Sequence, residues 1–373
     1  MTNRAEKGFR LLVAGGGTGG HLFPGVAVAE EFRRRDPRAE IIFVGTGRPV
    51  EAEILSQRGI KNRTITALGL KGKGAWSRVK ALAVLPAGLF QSLLIVQGFK
   101  PDLVLGVGGY VSGPVVLAAR LLGRPTAIQE QNSIPGATNR LLGHVVDLVF
   151  IGFEASSGFF PARKTRLTGN PIRVEIQAAA REQRDRDKPF VLLVAGGSLG
   201  ARALNQAAVE AVRLLSAQGL RPGVIHQTGT EDFETVKKAY DNLGVAAEVK
   251  PFFQDMERAY REASLVLCRA GALTAAEVSA MGLPAIFVPL PWAADNHQEH
   301  NARFLAEAGA AEILRQGDLT PESLADLIRS LAQDQNRLEK MARAARRVAR
   351  PDAAREICDL CEAHVKRRGK KGE

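Results

Sequence analysis

Short apolar runs recur along this chain, and longer stretches with helical periodicity separate them. The hexapeptide Leu-Leu-Val-Ala-Gly-Gly occurs twice, at residues 11–16 and 192–197, and each copy is typical of a buried parallel strand that enters a glycine-rich turn. A helical pattern follows each copy, over Val26–Arg35 in the first half and Ala203–Ala217 in the second. The sequence therefore predicts the opening of a doubly wound α/β domain twice.

Further apolar runs predict the other strands of one parallel sheet in each half. They are Glu40–Val44, Leu103–Val107, Thr126–Gln129 and Leu148–Ile151, followed by Gly223–Gln227, Leu265–Cys268 and Ala285–Val288. We expect a Rossmann-like N-terminal domain at residues 8–170 and a Rossmann-like C-terminal domain at residues 171–340. Residues 341–373 are expected to form a helical tail that returns to the N-terminal domain and ends in a basic, frayed segment.

Residues 81–99 contain no charged side chain, and their length of 19 residues is close to the roughly 20 that a membrane-spanning helix needs. Pro86, Gly88 and Gln91 interrupt the stretch, which favours a helix packed in a soluble domain. As a helix it has two apolar faces. One face contains Leu82, Leu85, Leu89 and Leu93, and the other contains Trp76, Val79, Ala83, Phe90 and Leu94. Either the second face contacts lipid or the helix is buried on both faces.

The charge balance favours an anionic partner. Lys and Arg number 51 against 39 Asp and Glu, so the net charge is +12. Nucleic acid, anionic lipid and a phosphorylated substrate all fit this charge. Aromatic residues make up only 6% and no nucleic-acid-binding motif occurs, so we expect no nucleic acid partner. Three cysteines and no signal-like N-terminus predict a cytoplasmic protein, with Cys358 and Cys361 as a thiol pair on a helix or, alternatively, a redox motif.

Three glycine-rich turns follow predicted strands, at residues 15–20, 106–114 and 196–200. Backbone N–H groups without a nearby Cβ can approach an anion, so each turn is either a phosphate cradle or a tight packing turn. The first turn also matches a dinucleotide-binding pattern, but Gly45-Thr46 stands where a ribose-binding acid is expected. Parallel sheets bind ligands at the edge where these turns lie, which favours phosphorylated ligands.

Two patterns could indicate a metal site. Asp185-Arg186-Asp187 has the spacing of a metal-binding motif but lies in a charged segment, and His297 with His300 shares a helix face without further ligands nearby in sequence. We therefore predict no metal and no other cofactor.

Taken in order, these motifs resemble the peptidoglycan N-acetylglucosaminyltransferases that convert lipid I to lipid II. The resemblance is carried by residues 15–24, 106–114, 130–132, 169–173, 196–202, 269–274 with Glu277, and 295–298 with Asn301. It implies the glycosyltransferase B fold, which is two Rossmann-like parallel-sheet α/β domains that face each other across a cleft. It also implies UDP-N-acetylglucosamine as donor and undecaprenyl-diphosphate-linked N-acetylmuramoyl-pentapeptide as acceptor.

The resemblance implies a donor site held mainly by the second domain. Uracil is expected near Phe253, the ribose on Glu277, the diphosphate near Ser198 and the Ala272-Leu273-Thr274 turn, and the sugar on Gln298. The implied donor residues from the first domain and hinge are Thr18, Gly19, Gly20, Asn132 and Arg173. A carboxylate suits vicinal hydroxyls, and a helix N-terminus suits a diphosphate that gains charge as it leaves.

The implied reaction is an inverting displacement at the anomeric carbon by the C4 hydroxyl of the acceptor. His21 is the predicted base because imidazole titrates near neutral pH. Alternatively, its role is structural and it only forms hydrogen bonds within its own loop. Glu130 is the rival base, or it orients Asn132. The implied acceptor-binding residues are Gly16, Gly17, Gly108, Gly109 and Tyr110. Gln129 departs from the family pattern, in which a histidine often precedes the Glu-Gln-Asn triplet.

A lipid-linked acceptor implies peripheral attachment to the cytoplasmic face of the inner membrane. The predicted membrane patch consists of Trp76, Val79 and Phe90 with Lys73 and Lys80, because basic groups near an anionic surface strengthen binding. Cell-wall synthesis and division proteins are implied partners. The alternative functions are a UDP-N-acetylglucosamine 2-epimerase or another glycolipid glycosyltransferase of the same fold, and the epimerase would need no membrane.

Overall fold

The computed structural model describes residues 8–16, 19–67, 75–182, 189–197 and 200–371, with the backbone alone at residues 75–83, 370 and 371. The chain forms two compact units. Unit 1 comprises Met1–Val174 and Asp352–Glu373, and unit 2 comprises Glu175–Pro351. Each is an α/β unit built on one parallel sheet, which confirms the predicted fold class.

Unit 1 contains a seven-stranded parallel sheet in the order β3-β2-β1-β4-β5-β6-β7. The strands are β1 Arg10–Ala14, β2 Glu40–Gly45, β3 Lys61–Thr64, β4 Leu103–Gly106, β5 Thr126–Glu130, β6 Leu148–Ile151 and β7 Thr165–Leu167. The helices are α1 Gly19–Arg35, α2 Pro49–Gln57, α3 Ala75–Phe99, α4 Ser112–Leu121, α5 Ala137–Val145 and, from the C-terminal segment, α14 Ala353–Lys371, with short 3-10 helices at Glu154–Phe159 and Ala162–Lys164.

Helices cover both faces of this sheet, so its central strands are apolar on both sides. Leu11 and Val13 of β1 point into a core that includes α1 and α14, whereas Leu12 and Ala14 point into a core that includes α3 and α4. Leu12 is in register with Val104 of β4, and all five side chains are fully buried. Alternation within a strand thus supplies both cores of unit 1.

Helix α14 packs against α1, although the two helices lie at opposite ends of the chain. Ile357, Cys358, Cys361 and Val365 are buried in the core of this contact. Burial raises the pKa of both thiols well above the usual range, and both cysteines are free. A thiol must ionise to react, so Cys358 and Cys361 are core residues of a helix rather than a redox pair.

Unit 2 contains a six-stranded parallel sheet in the order β10-β9-β8-β11-β12-β13. The strands are β8 Val191–Ala195, β9 Gly223–Gln227, β10 Ala247–Lys250, β11 Leu265–Cys268, β12 Ala285–Phe287 and β13 Ala311–Ile313. The helices are α6 Val174–Ala179 at the boundary, α7 Arg202–Ala217, α8 Phe233–Leu243, α9 Met256–Glu262, α10 Ala272–Ala280, α11 His297–Glu307, α12 Pro321–Ala332 and α13 Gln335–Val348, with a 3-10 helix at Ala294–Asn296.

The boundaries of the units differ from the expected ones. Unit 2 begins at Glu175 rather than at residue 171 and extends to Pro351 rather than to residue 340. The second difference arises because Leu338 and Met341 of α13 are buried in the core of unit 2. The chain leaves this unit only after α13, where Pro351 separates α13 from α14.

Unit 2 buries one histidine in a polar network. His226 of β9 lies with Nδ1 3.1 Å from the Tyr240 hydroxyl and Nε2 3.1 Å from Asn205 Oδ1. Asn205 donates its Nδ2 to Thr228 O at 2.9 Å, so its oxygen faces the ring and His226 is protonated on Nε2. Burial lowers the pKa of His226 to about 3, and the ring is neutral at physiological pH.

Helix α3 follows the predicted stretch and continues through Pro86. Among the described residues, no helix combines the length and the apolarity needed to cross a bilayer. Leu89 and Leu93 pack against the core, whereas Phe90 and Leu94 are 63% and 55% exposed. Lys73 and the side chains of Trp76, Val79 and Lys80 lie outside the described parts of the structure, so the patch predicted from them remains a prediction.

Candidate active site

Two glycine-rich turns meet at the carboxyl edge of the unit 1 sheet. A Cβ on Gly109 (φ +78°) would lie 2.7 Å from the carbonyl oxygen of Gly16, and a Cβ on Gly108 (φ +95°) would lie 2.9 Å from Nδ1 of His21. Both positions therefore require glycine, for conformation and for space. The hydroxyl of Ser112 lies 2.6 Å from Ala14 O and 2.8 Å from Gly108 O, and its one proton holds the second turn against the end of β1. The structure thus brings together three of the predicted acceptor residues and the predicted base.

His21 lies on the first turn of α1, with Nδ1 3.0 Å from Oε1 of Gln131. The amide nitrogen of Gln131 donates to Val107 O at 2.8 Å and also lies 3.3 Å from Gln129 O. Reversing this amide would place its oxygen against those carbonyls, so Oε1 must face the imidazole. An amide oxygen can only accept, and Nδ1 of His21 therefore carries the proton. In the neutral ring Nε2 is then the nitrogen with a free lone pair, which a general base needs.

Glu130 ends β5 and is 1% exposed. Its Oε1 accepts from the backbone N–H of Asn132 at 2.9 Å and from the Asn132 side-chain amide at 3.3 Å. Its Oε2 accepts from Gly136 N at 3.2 Å and from Asn139 Nδ2 at 2.9 Å. Both carboxylate oxygens are thus used to shape residues 132–136, and this arrangement favours the orienting role of Glu130 over the role of base.

The other predicted residues of unit 1 lie on the same loops or close to the unit boundary. Gly19 and Gly20 begin α1, and Tyr110 is partly buried in the second turn. The guanidinium of Arg173 lies over the ring of Phe23, 5.2 Å from its centroid, which holds the arginine against α1. Gly17 and Thr18, also predicted, lie outside the described residues.

In unit 2 the glycine turn after β8 is held against the loop after β9. A Cβ on Gly200 (φ +76°) would lie 2.4 Å from Thr228 O, which explains the glycine. The side chain of Gln227 links two predicted donor elements, because its Nε2 donates to Gly197 O at 3.3 Å and its Oε1 accepts from Phe253 N at 3.1 Å. Ser198 of this turn lies outside the described residues.

Helix α10 begins directly after β11 with Gly271 as its N-cap residue. The first hydrogen bond within the helix runs from Ala275 N to Gly271 O at 2.9 Å. The backbone N–H groups of Leu273 and Thr274 therefore have no acceptor within the helix, and the helix dipole adds positive potential at the same end. This geometry suits a diphosphate.

Glu277, the predicted ribose ligand, lies on α10 and is almost fully buried. Its Oε2 accepts from the hydroxyl of Tyr260 at 3.2 Å, and Tyr260 is equally buried. Gln298, the predicted sugar ligand, lies in the first turn of α11 and accepts from Leu290 N at 3.0 Å. The loop between Leu290 and Gln298 contains two residues in the left-handed region, Asp295 and Asn296, both with φ +53°.

The structure also describes one of the two patterns considered for a metal. Nδ1 of His297 donates to Ala294 O at 2.7 Å, which uses this ring to cap its own loop. Within the described ranges, no group of three or more His, Cys, Asp or Glu side chains is arranged to hold an ion. Residues 185–187 lie outside those ranges.

Sequence reasoning missed four residues that organise the site. Gln131, Gln129, Gln227 and Tyr260 each hydrogen-bond a predicted residue or its loop. Gln131 belongs to the Glu-Gln-Asn triplet, but only the fold shows that it contacts His21, which is 110 residues away in the chain. The ligand roles predicted for individual residues stay predictions.

Comparison with known proteins agrees with this architecture. Residues 11–151 match the glycosyltransferase family 28 N-terminal domain, and residues 191–357 match the glycosyltransferase family 28 C-terminal domain. The chain is 50% identical to a Geobacter metallireducens protein over 94% of this chain and 97% of the relative. That relative is named UDP-N-acetylglucosamine--N-acetylmuramyl-(pentapeptide) pyrophosphoryl-undecaprenol N-acetylglucosamine transferase.

Two solved structures have a similar fold. The crystal structure of Acinetobacter baumannii MurG superposes with a TM-score of 0.77 at 35% identity, covering 95% of this chain and 99% of that chain. A UDP-GlcNAc 2-epimerase from Neisseria meningitidis superposes with a TM-score of 0.67 at 15% identity, covering 94% of this chain and 99% of the epimerase. The second similarity shows a shared fold alone.

Proposed function

This chain belongs to glycosyltransferase family 28, and on that premise we propose that it transfers N-acetylglucosamine from UDP-N-acetylglucosamine to undecaprenyl-diphosphate-linked N-acetylmuramoyl-pentapeptide. The reaction converts lipid I to lipid II in peptidoglycan synthesis. The similarity to the Geobacter metallireducens relative carries this proposal, because that relative is named for this transfer and the two chains align over nearly their full lengths. The epimerase alternative has no comparable support, since the solved epimerase shares only 15% identity.

Unit 2 binds the donor in this proposal. The α10 N-terminus holds the diphosphate through the N–H groups of Leu273 and Thr274, and the Glu277 carboxylate accepts from the ribose hydroxyls. Gln298 contacts the sugar. These groups stabilise UDP as it takes the electron pair of the broken bond between the anomeric carbon and the diphosphate oxygen, so we expect no requirement for a metal ion.

Unit 1 supplies the base. Nε2 of His21 accepts the proton of the acceptor C4 hydroxyl while the hydroxyl oxygen attacks the anomeric carbon from the face opposite UDP, which inverts the configuration. The geometry supports this role because Nδ1 of His21 is engaged by Gln131 and Nε2 is left with its lone pair. The backbone of Gly108 lies against the imidazole, and the adjoining Gly109 packs on Gly16, so glycine backbone beside the base allows close approach of the acceptor.

Attachment to an anionic membrane surface would deliver the lipid-linked acceptor. Helix α3 packs on α4 and α4 packs on α5, and each carries an exposed apolar pair four residues apart. The pairs are Phe90 with Leu94, Leu117 with Leu121, and Leu141 with Val145. Spacing of four residues places each pair on one helix face. We propose peripheral binding to the cytoplasmic face of the inner membrane through this surface, assisted by the net charge of +12 of the chain.

The transfer is tested by UDP release from UDP-N-acetylglucosamine with and without a lipid I analogue, in the presence of EDTA. We expect acceptor-dependent release that survives chelation and a disaccharide product in the mass spectrum. His21→Ala is expected to lower kcat by about 10²- to 10⁴-fold, as loss of a general base does. His144→Ala removes an exposed imidazole from α5 of the same unit and serves as the matched control. Release that ignores the acceptor and yields 2-epimerised sugar would assign the chain to the epimerases instead.

Membrane attachment is tested by flotation with anionic liposomes. A smaller fraction of the Phe90→Ser, Leu94→Ser variant than of the wild type is expected to float with the liposomes. Val50→Ser, at an exposed apolar position of α2, is expected to float to the same extent as the wild type. Equal flotation of all three proteins would refute the proposed surface.

A further inference from the structure

We propose that Gln129, Gln131 and Asn170 form a buried amide relay that sets the tautomer of His21. In this inference the three residues are positioning residues for the base, and none of them contacts substrate. The inference rests on the proposed function insofar as His21 is the base. Its structural part, the tautomer, stands independently of activity.

The relay starts at a backbone carbonyl, whose role as acceptor is fixed. Asn170 Nδ2 donates to Gln131 O at 2.9 Å, so Asn170 Oδ1 faces the opposite way and accepts from Gln129 Nε2 at 2.9 Å. The oxygen of Gln129 in turn accepts from Nε2 of Gln131. The oxygen of Gln131 is then left to face Nδ1 of His21 at 3.0 Å.

Each amide in this relay has its orientation fixed twice. Gln129 Nε2 also lies 3.3 Å from Glu130 O, and Gln131 Nε2 also donates to Val107 O at 2.8 Å. Reversal of any one of these amides would place two acceptor oxygens, or two donor NH2 groups, opposite each other. Because unpaired polar groups away from water are strongly unfavourable, the relay has one stable direction.

Burial makes the relay insensitive to solvent. Gln129, Gln131 and Asn170 are 0%, 1% and 3% exposed, so water does not compete for their hydrogen bonds. Space for Asn170 is provided by Gly152, where a Cβ would lie 2.2 Å from Asn170 Oδ1. Gln129 is the residue that departs from the family pattern, and here its amide supplies both the donor and the acceptor that the relay needs at this point.

The consequence is chemical. With Nδ1 protonated and bound to Gln131, neutral His21 presents the lone pair of Nε2, which can accept a hydroxyl proton. The opposite tautomer would present an N–H at that position and could not accept. A relay that excludes the opposite tautomer therefore keeps the whole neutral population of His21 competent as a base.

The tautomer is measured by long-range ¹H–¹⁵N correlation spectra of the full-length protein with ¹⁵N-labelled histidine. The chain has six histidines, and a His21→Ala variant assigns the signal. We expect the Nδ1-protonated form at a pH where the ring is neutral. His226 is an internal reference because its network holds the Nε2-protonated form.

A Gln131→Met variant preserves side-chain length and removes the acceptor. We expect a loss of the Nδ1-protonated preference and a decrease in kcat of about 10- to 100-fold, with KM for UDP-N-acetylglucosamine unchanged within about twofold. Gln335→Met, at an exposed position of α13, is the matched control and is expected to change neither reading.

The inference is overturned if wild-type His21 is protonated on Nε2, a reading that does not depend on any variant folding. It is also overturned if folded Gln131→Met keeps the Nδ1-protonated form. A His21→Ala variant with full activity would instead remove His21 from the proposed mechanism and leave the tautomer result unaffected, so the two failures are distinguishable.

Discussion

Removal of the Glu130 carboxylate is expected to destabilise unit 1 more than it impairs the reaction. In Glu130→Ala, four donors lose their acceptor: two on Asn132, one on Gly136 and one on the buried Asn139. The donors on the partly exposed Asn132 and on the exposed Gly136 can turn to water, so the cost comes mainly from the buried Asn139. A buried donor that loses a charged acceptor costs up to about 3 kcal/mol. We therefore expect a loss of about 3 kcal/mol in the free energy of unfolding.

A loss of about 3 kcal/mol lowers the melting temperature by about 6–12 °C for a unit of roughly 150–250 residues. Thermal unfolding followed by circular dichroism measures this shift, and Glu154→Ala, at an exposed site after β6, is the matched control. Turnover is compared at a temperature where both variants are folded. There we expect Glu130→Ala to retain kcat within about tenfold, well above the residual rate after loss of a general base.

The reasoning would be refuted by the reverse pattern. If Glu130→Ala melts within about 2 °C of the wild type and loses kcat by about 10³-fold at unchanged KM, Glu130 acts in the chemical step and its hydrogen bonds do not stabilise the loop.

Three further predictions follow from single contacts. Gly109→Ala places a Cβ 2.7 Å from Gly16 O at φ +78° and should cost about 1–3 kcal/mol in a urea unfolding curve; an unchanged midpoint would contradict it. Tyr260→Phe removes the hydroxyl that donates to Glu277 and should weaken UDP binding about three- to tenfold by calorimetry, whereas unaltered affinity would show that this contact does not orient the carboxylate. The pKa of His226 is about 3 when folded against 6.5 when unfolded, so the unfolded chain binds more protons between these values and stability falls as pH decreases below 6.5. Between pH 7 and pH 5 the wild type should lose about 2 kcal/mol more than His226→Gln, and parallel pH profiles would argue against a buried neutral ring.

The predicted strands are the inner strands of the two sheets. β1, β2, β4, β5 and β6 were predicted in unit 1, and β8, β9, β11 and β12 in unit 2. The four strands that were missed, β3, β7, β10 and β13, are the sheet edges. An inner strand of a parallel sheet is covered on both faces, and its sequence is therefore a run of apolar residues. An edge strand such as Lys61–Thr64 is mostly exposed, and only its pairing with β2 makes it a strand.

Helix α1 was predicted to begin at Val26 and begins at Gly19. Glycines and Pro24 in the first turns have low helix propensity, so the local pattern indicates a helix only from Val26 onward. Packing compensates for this, because Leu22 and Val26 are buried against the sheet. Tertiary contacts thus extend the helix through residues that propensity assigns to a turn, and they place His21 on a helical turn rather than in a loop.

The sequence alone determined the two α/β units, the order of their inner strands along the chain and the glycine turns that follow those strands, because these features depend on local patterns of burial and backbone freedom. The tertiary structure decided which side chains contact each other in the site. Whether Glu130 acts as a base or as an anchor, and which nitrogen of His21 carries its proton, depends on donors supplied by Asn139, Gln131 and other residues that are distant in sequence. Hydrogen-bond partners are set by proximity in three dimensions, and periodic patterns along the chain do not indicate which distant residues come close together.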